Sequence, residues 1–358
     1  MGQESSEKQP YGDRAPSRSL RVLHAPTEIA GQVATLVRAL RELGYDASGV
    51  SFLSHKHEYG TLKELSPSDR ATLASKSAYG LRVLADAIRG QDIVHFHTSY
   101  SLLPLNMDVV TLRALGPAAV VHFWGSDVRI LGIAGRNNPW VHECLNAEDD
   151  SAKRRRIRWL GTWMTTAIVG DYELYDYVAE DFIRVEVVPQ AIDLLKYQAH
   201  PPNPNSSRPK VVHAPSNPAM KGTGHILRVV QRLRREMDFD FELISGKKHA
   251  EAIAAIAEAD IVVDQLLVGA YGILAVEAMA LAKPVICYIR DDLRDRYPAR
   301  LPIMSATPAS VEEVLRSLLT DAELRHRIGL EGRRYVETFH GALDIARRLG
   351  RLYEALAR

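Results

Sequence analysis

The chain holds 358 residues, 46% of them apolar, with a formal net charge of +1, and is long enough for two domains that each bury a core. So balanced a charge argues against nucleic acid as the main partner, because such proteins usually carry a clear basic excess. With only Cys144 and Cys287, the second inside an apparent core strand, there is no disulfide framework and no cysteine cluster for zinc, and a reducing, cytoplasmic interior is expected.

Residues 1–19, MGQESSEKQPYGDRAPSRS, lack the apolar core of a signal peptide and read as a flexible tail. Met1-Gly2 with Ser6 matches the bare myristoylation pattern, which is too short to argue an anchor by itself. No window reaches the ~20 uninterrupted apolar residues of a spanning helix. From Leu20 the chain alternates aliphatic or β-branched runs with amphipathic stretches, the rhythm of parallel sheets with crossover helices. Leu20 to Ala25 is the first predicted strand and Gly31 to Leu43 the first helix, ended by Gly44; Ile93 to His97, Ala119 to Phe123, Thr166 to Val169 and Val185 to Val188 follow as strands. These fill a first Rossmann-like domain, 20–195.

A linker, 196–210, ends in HPPNPNSSRPK, a composition that does not hold regular structure. The second domain, 211–341, has predicted strands Val211 to Ala214, Phe241 to Ile244, Ile261 to Asp264 and Pro284 to Ile289, and a last amphipathic helix covers 342–358. The expected architecture is α/β, two Rossmann-like domains facing a cleft.

One segment joins structure to chemistry. The strand at Ile261 runs into Gly269-Ala270-Tyr271-Gly272, and a helix opens at Ile273 with Glu277 on its second turn. Such a turn leaves backbone N–H groups aimed at an anion with the helix dipole behind them, a seat for phosphate. Glu277 is placed to accept hydrogen bonds from vicinal hydroxyls, as on a ribose.

The run GAYGILAVEAMALAKPVI resembles the nucleotide-sugar signature of the retaining GT-B glycosyltransferases of the group-one, or family-four-like, type. There, an acid eight positions before the second acid holds the donor sugar, and the second acid holds the ribose. The second acid is Glu277; the first falls on Gly269. The resemblance implies a GT-B fold whose last helix crosses back to the first domain, and a hexosyltransferase that moves a sugar with retention from a nucleotide diphosphate, UDP as the best guess, to an acceptor hydroxyl, with no metal or other cofactor. It also implies that Lys221-Gly222, after VVHAPSNPAM, binds the donor diphosphate; a lysine beside a helix N-terminus suits phosphates losing a sugar. The family's arginine five residues earlier is here Ser216, and Lys247 or Lys248 could supply the charge. Gly31 matches the family's first glycine-rich loop.

Around the vacant acid, the donor-sugar residues are Gln265, Gly269, Ala270 and Tyr271, with Asp264 as the best-placed replacement carboxylate. VVHFWGSDVR resembles the family strand that ends in His-Gly near the reaction centre. Trp124 stands in the histidine's place and could stack on a sugar, and His122 two residues back shares its side of the strand and could lie deeper. Asp127 reads equally as an acceptor-side acid and as a turn residue. His95 and His97, two apart on one strand, line the acceptor cleft or fill the core; lacking a third ligand at a recognisable spacing, they are not expected to hold zinc. The basic run Lys153 to Arg158 is a solvated helix face or a peripheral membrane contact. Asp238-Phe239-Asp240 mimics a metal-binding acid pair but leads into a core strand. Alternatives to transfer are a nucleotide-sugar-binding pseudoenzyme and a GT-B nucleotide-sugar epimerase.

Overall fold

The computed structural model describes residues 19–52, 62–66 and 72–358. The expected tail 1–19, with its Gly2 and Ser6, lies outside them except for Ser19. Two parallel sheets organise the described chain. The first has seven strands in the order β3-β2-β1-β4-β5-β6-β7, namely Lys63–Glu64, Asp46–Ser51, Arg21–Ala25, Ile93–His97, Ala118–Phe123, Thr166–Val169 and Arg184–Val187. The second has five in the order β12-β11-β10-β8-β9: Ile303–Met304, Val285–Ile286, Ile261–Val263, Lys210–His213 and Asp240–Leu243. The inner strands read as continuous apolar runs because helices cover both faces. Val22, Ile93, Val120 and Ile168 pack on one side of the first sheet; Leu23, Val94, Val121 and Val169 pack on the other.

Strand order fixes where a ligand can sit. In the first sheet the order reverses between β1 and β4, in the second between β8 and β10, and crevices open beyond the strand ends at such points. The loops after β1 and β4 carry Gly31 and Thr98, and those after β8 and β10 carry Lys221 and Asp264.

The last helix, Ala342–Leu356, crosses back as expected and packs on helix Gln32–Glu42 of the first sheet. Gly350 permits the crossing, since a Cβ there would lie 2.2 Å from the Tyr45 hydroxyl oxygen, which instead donates to Glu354 Oε1 at 2.8 Å. Two predicted strands are shorter than expected for one reason. β10 and β11 stop early because the chain beyond them braces the loop between: Tyr288 N donates to Gln265 O at 2.8 Å and Arg290 N to Gly269 O at 2.9 Å. Asp238 and Asp240 both meet Arg208, at 3.4 and 2.9 Å.

Candidate functional site

Helix Ile273–Ala280 starts at Gly272, as the sequence predicts, and carries Glu277 into a cavity of about 430 Å³ between the two sheets. Gly31, Arg38 and Asp193 line it from one side; Lys248, His249 and Ile273 line it from the other. Oε1 of Glu277 is taken twice, by the Tyr197 hydroxyl at 2.9 Å and by His249 Nε2 at 2.6 Å. Glu277 holds the His249 imidazole above its usual pKa of 6.5. With Oε1 so fixed, Oε2 is the oxygen open to a hydroxyl pair. Sequence reasoning missed both partners; His249 follows Lys247 and Lys248 directly, and that is the only signal it left. Of the two lysines, Lys248 reaches the cavity, whereas Lys247 pairs with Glu242 at 2.6 Å.

Beside this cavity the structure brings Lys221, Asp264, Gln265 and Gly272 together. Lys221 Nζ donates to Asp264 Oδ1 at 2.6 Å and to Gln265 Oε1 at 2.8 Å, and lies 3.4 Å from the position a Cβ on Gly272 would take. Gly272 N donates to Asp264 Oδ2 at 3.3 Å. The amides of Ile273 and Leu274, which have no partner within the helix, open beyond that glycine. A cation is thereby held at the start of a helix whose second turn presents a carboxylate, a spacing suited to a diphosphate and its ribose.

Several expected roles change. Asp264 is fully buried, and both its oxygens are spent on Lys221 and the Gly272 amide, so it positions the lysine and the loop rather than holding a sugar. Gly269 takes φ +86°, and a Cβ there would lie 2.5 Å from Arg290 Cγ. The space of the missing acid is thus filled by Arg290, whose guanidinium forks onto Asp292 at 2.9 and 2.7 Å. Ala270 accepts from Gln265 Nε2, and Tyr271 points into the second domain's core, with its hydroxyl 3.3 Å from His340 Nε2. Ser216 is exposed. Gly31 lines the cavity, but the amides of Val33 and Ala34 behind it donate to the buried Glu28, which takes the anion's place at that helix start.

Asp127 accepts from the backbone of Ser99, Trp124 and Gly125 at 3.1, 3.2 and 2.9 Å. These three bonds make it a clamp on the turn, the second of its two expected readings. His95 and His97 do not line a cleft. With His24 and His122 they form a buried stack on the sheet face under the last helix, in register across β1, β4 and β5. Trp124 Nε1 donates to His97 Nδ1 at 3.3 Å, which puts His97's proton on Nε2 to donate to His24 Nδ1 at 2.9 Å. His95 Nδ1 bonds the Tyr353 hydroxyl at 2.5 Å. His122 lies deeper than Trp124, stacked on it at 3.9 Å, and neither of its ring nitrogens has a partner. His24 is the third nitrogen ligand that sequence spacing did not reveal. Yet the His95 and His97 rings are parallel within 5°, and lone pairs lie in the ring plane, so the two cannot converge on one ion.

Across the cleft, Asn138 Nδ2 donates to the carbonyls of Leu267 and Val268 at 2.7 and 2.9 Å, and His225 meets Glu143 at 2.6 Å. The first domain is thus latched to the donor loop. Nothing in the periodicity of residues 137–143 predicts it.

Two parallel Rossmann-like sheets, a last helix that crosses back, and a phosphate-suited helix start in the cleft define a GT-B-fold protein. No model of a protein family matches the chain. By structure it is similar to sucrose-phosphate synthase from Thermosynechococcus elongatus, with a TM-score of 0.68 at 13% identity over 95% of this chain and 99% of that one. It is also similar to Anabaena HepE in complex with UDP and glucose, with a TM-score of 0.65 at 12% identity over 94% of this chain and 100% of that one. By sequence it is 28% identical over 210 residues to an MMP alpha-(1->4)-mannosyltransferase of Mycolicibacterium hassiacum. That match covers 49% of each protein, so the chain spans about half the length of the curated relative it matches. The chain has the GT-B fold of these glycosyltransferases, the type that its Glu277 segment resembles.

Proposed function

We propose that this chain is a hexosyltransferase that moves a sugar from a nucleotide diphosphate, UDP-linked, to an acceptor hydroxyl with retention. The observation that carries the reading is the placement of Glu277 in the interdomain cavity, one helical turn behind Gly272, whose amide shares Asp264 with Lys221. Glu277 Oε2 takes the ribose hydroxyls, and Lys221 with the Ile273 and Leu274 amides takes the diphosphate. Negative charge grows on the leaving phosphate as the glycosidic bond to it breaks, and a lysine fixed by Asp264 and Gln265 stabilises that charge without having to reorganise. The lysine acts in place of a metal ion. The mannosyltransferase relative and the UDP complex of HepE support the reaction class and the donor. Cys144 and Cys287, both free thiols, suit a reducing cytoplasm. In the basic run, a bilayer contact would fall to Arg155 and Arg158, because Lys153 bonds Arg129 O at 3.0 Å and Arg154 pairs with Asp181 at 2.5 Å.

One feature favours a second reading, binding without transfer: Arg290 occupies the space where the resemblance places the sugar-holding acid. Release of UDP from UDP-sugars by the purified protein decides between the two. Lys221-dependent release supports transfer; tight UDP binding with no release of sugar, with or without added acceptors, refutes it.

A further inference from the structure

We infer that residues 100–107, with the helices on either side, form a docking surface for an anionic lipid bilayer. The segment is built to hold an apolar tip outward. Leu105 and Asn106 both take left-handed backbone, φ 58° and 55°, where side chains are rarely found, and Leu105 is 87% exposed. A buried polar cage imposes this shape. Asn106 Oδ1 accepts from Ser101 N at 3.0 Å, its Nδ2 donates to Ser99 O at 2.9 Å, and Asp108 Oδ2 accepts from Leu102 N at 2.9 Å. The Asn106 carbonyl in turn accepts from Trp159 Nε1 at 3.2 Å, tying the segment to helix Asp150–Trp163. Folding gains nothing from a leucine held in strained backbone and pointed into water, so its task lies outside this chain.

The surroundings identify what it meets. Three of the eleven exposed large apolar side chains among the described residues, Tyr100, Leu105 and Met107, fall within this one eight-residue segment, and Leu73, Leu81 and Leu115 stand on the helices Leu73–Gly90 and Asp108–Leu115 next to it. Helix Leu73–Gly90 lies directly on Leu102 and Leu103 at Gly80, and helix Asp108–Leu115 contacts both it and helix Asp150–Trp163. Two rings adjoin the tip, Tyr100 in the segment itself and Trp159 bonded to the Asn106 carbonyl, and arginines adjoin the rings. Arg156 stacks over Tyr100 at 4.4 Å, and Arg155 and Arg158 are exposed with no acidic partner among the described residues. An apolar tip with aromatic rings and guanidinium groups beside it matches the acyl chains, interface and phosphates of an anionic bilayer.

This surface is independent of the donor cavity and is tested apart from it. The full chain is sedimented with vesicles of phosphatidylcholine alone and of phosphatidylcholine with phosphatidylglycerol, at low and high salt. Binding is expected to the anionic vesicles, weakened by salt, with at least ~10-fold loss for Leu105→Asp and for the pair Arg155→Ala with Arg158→Ala. Leu105→Gly relieves the backbone strain, so it should melt higher than the wild type while losing the same docking. UDP affinity in solution should be unchanged in all of these variants. Wild-type protein left in the supernatant with anionic vesicles, or vesicle binding indifferent to Leu105→Asp, would overturn the inference. So would a Leu105-dependent dimer that ignores vesicles.

Discussion

Acidification should unfold this protein through its buried histidines. His24, His95, His97, His122 and His340 are all 1% exposed or less. Burial lowers His24 and His122 to about 3 and His340 to about 4, and it takes His95 and His97 well below 6.5, each helped by the neighbouring rings. The unfolded chain protonates these rings near 6.5 while the native state keeps them neutral. Stability is therefore full above that pH and is lost as pH falls below it, toward the native values. Going from about pH 7.5 to about pH 5.5, the five rings together cost about 7 kcal/mol. Asp171 opposes this: burial raises it to about 7, so the native state holds a proton there that the unfolded state, near 3.8, lacks. That returns about 2 kcal/mol over the same interval, and His249, raised by Glu277, acts in the same direction. A net loss of about 5 kcal/mol is as large as the whole stability of many domains. Denaturant melts followed by tryptophan fluorescence at three pH values should show a midpoint that drops steeply below pH ~6.5. His122→Phe removes a ring whose nitrogens have no partner, so it should leave stability at the higher pH intact and shrink the acid loss by about 1 kcal/mol. A midpoint flat across the range would refute the reasoning.

Glu277→Gln should weaken UDP binding by about 1–3 kcal/mol, read by isothermal titration; unchanged affinity in a folded variant removes the ribose role. Lys221→Ala should lower turnover ~10-fold or more while nucleoside affinity holds, and a parallel fall in both would make the lysine structural. Asp264→Asn should lower melting temperature and turnover together, because the carboxylate is buried against Lys221; normal turnover would return Asp264 to an ordinary turn. Gly269→Ala should destabilise by about 1–3 kcal/mol, through its left-handed backbone and the Arg290 contact, and Arg290→Ala should restore part of the loss.

The fold was legible because its signals are local and repeated. Aliphatic runs such as Val211 to Ala214 announce buried strands, and Gly272 before an apolar helix announces a start. The resemblance of one segment then named the architecture. What stayed hidden depends on pairing between distant strands. His95 and His97 read alone as a cleft or a core pair; only the register of β1 and β5 beside β4 adds His24 and His122 and turns two residues into a stack.

The site divides along the same line. Glu277 and Lys221 stood out because Glu277 follows the glycine-marked turn 269–272 and Lys221 directly precedes Gly222, each a short way beyond a strand. Their partners were not, because Tyr197 lies 80 residues from Glu277 and Asp264 lies 43 residues from Lys221. Asp264 looked free to replace a missing acid since spacing shows a position and not what already occupies its oxygens. The same limit explains Gly269. Seen as a letter it is an acid lost; seen in place it is a residue whose missing side chain lets Arg290 pass, with that arginine held to Asp292 and the loop held to Asn138. The departure from the family pattern is therefore a rebuilt wall, and a donor sugar bound here must meet the groups that form it.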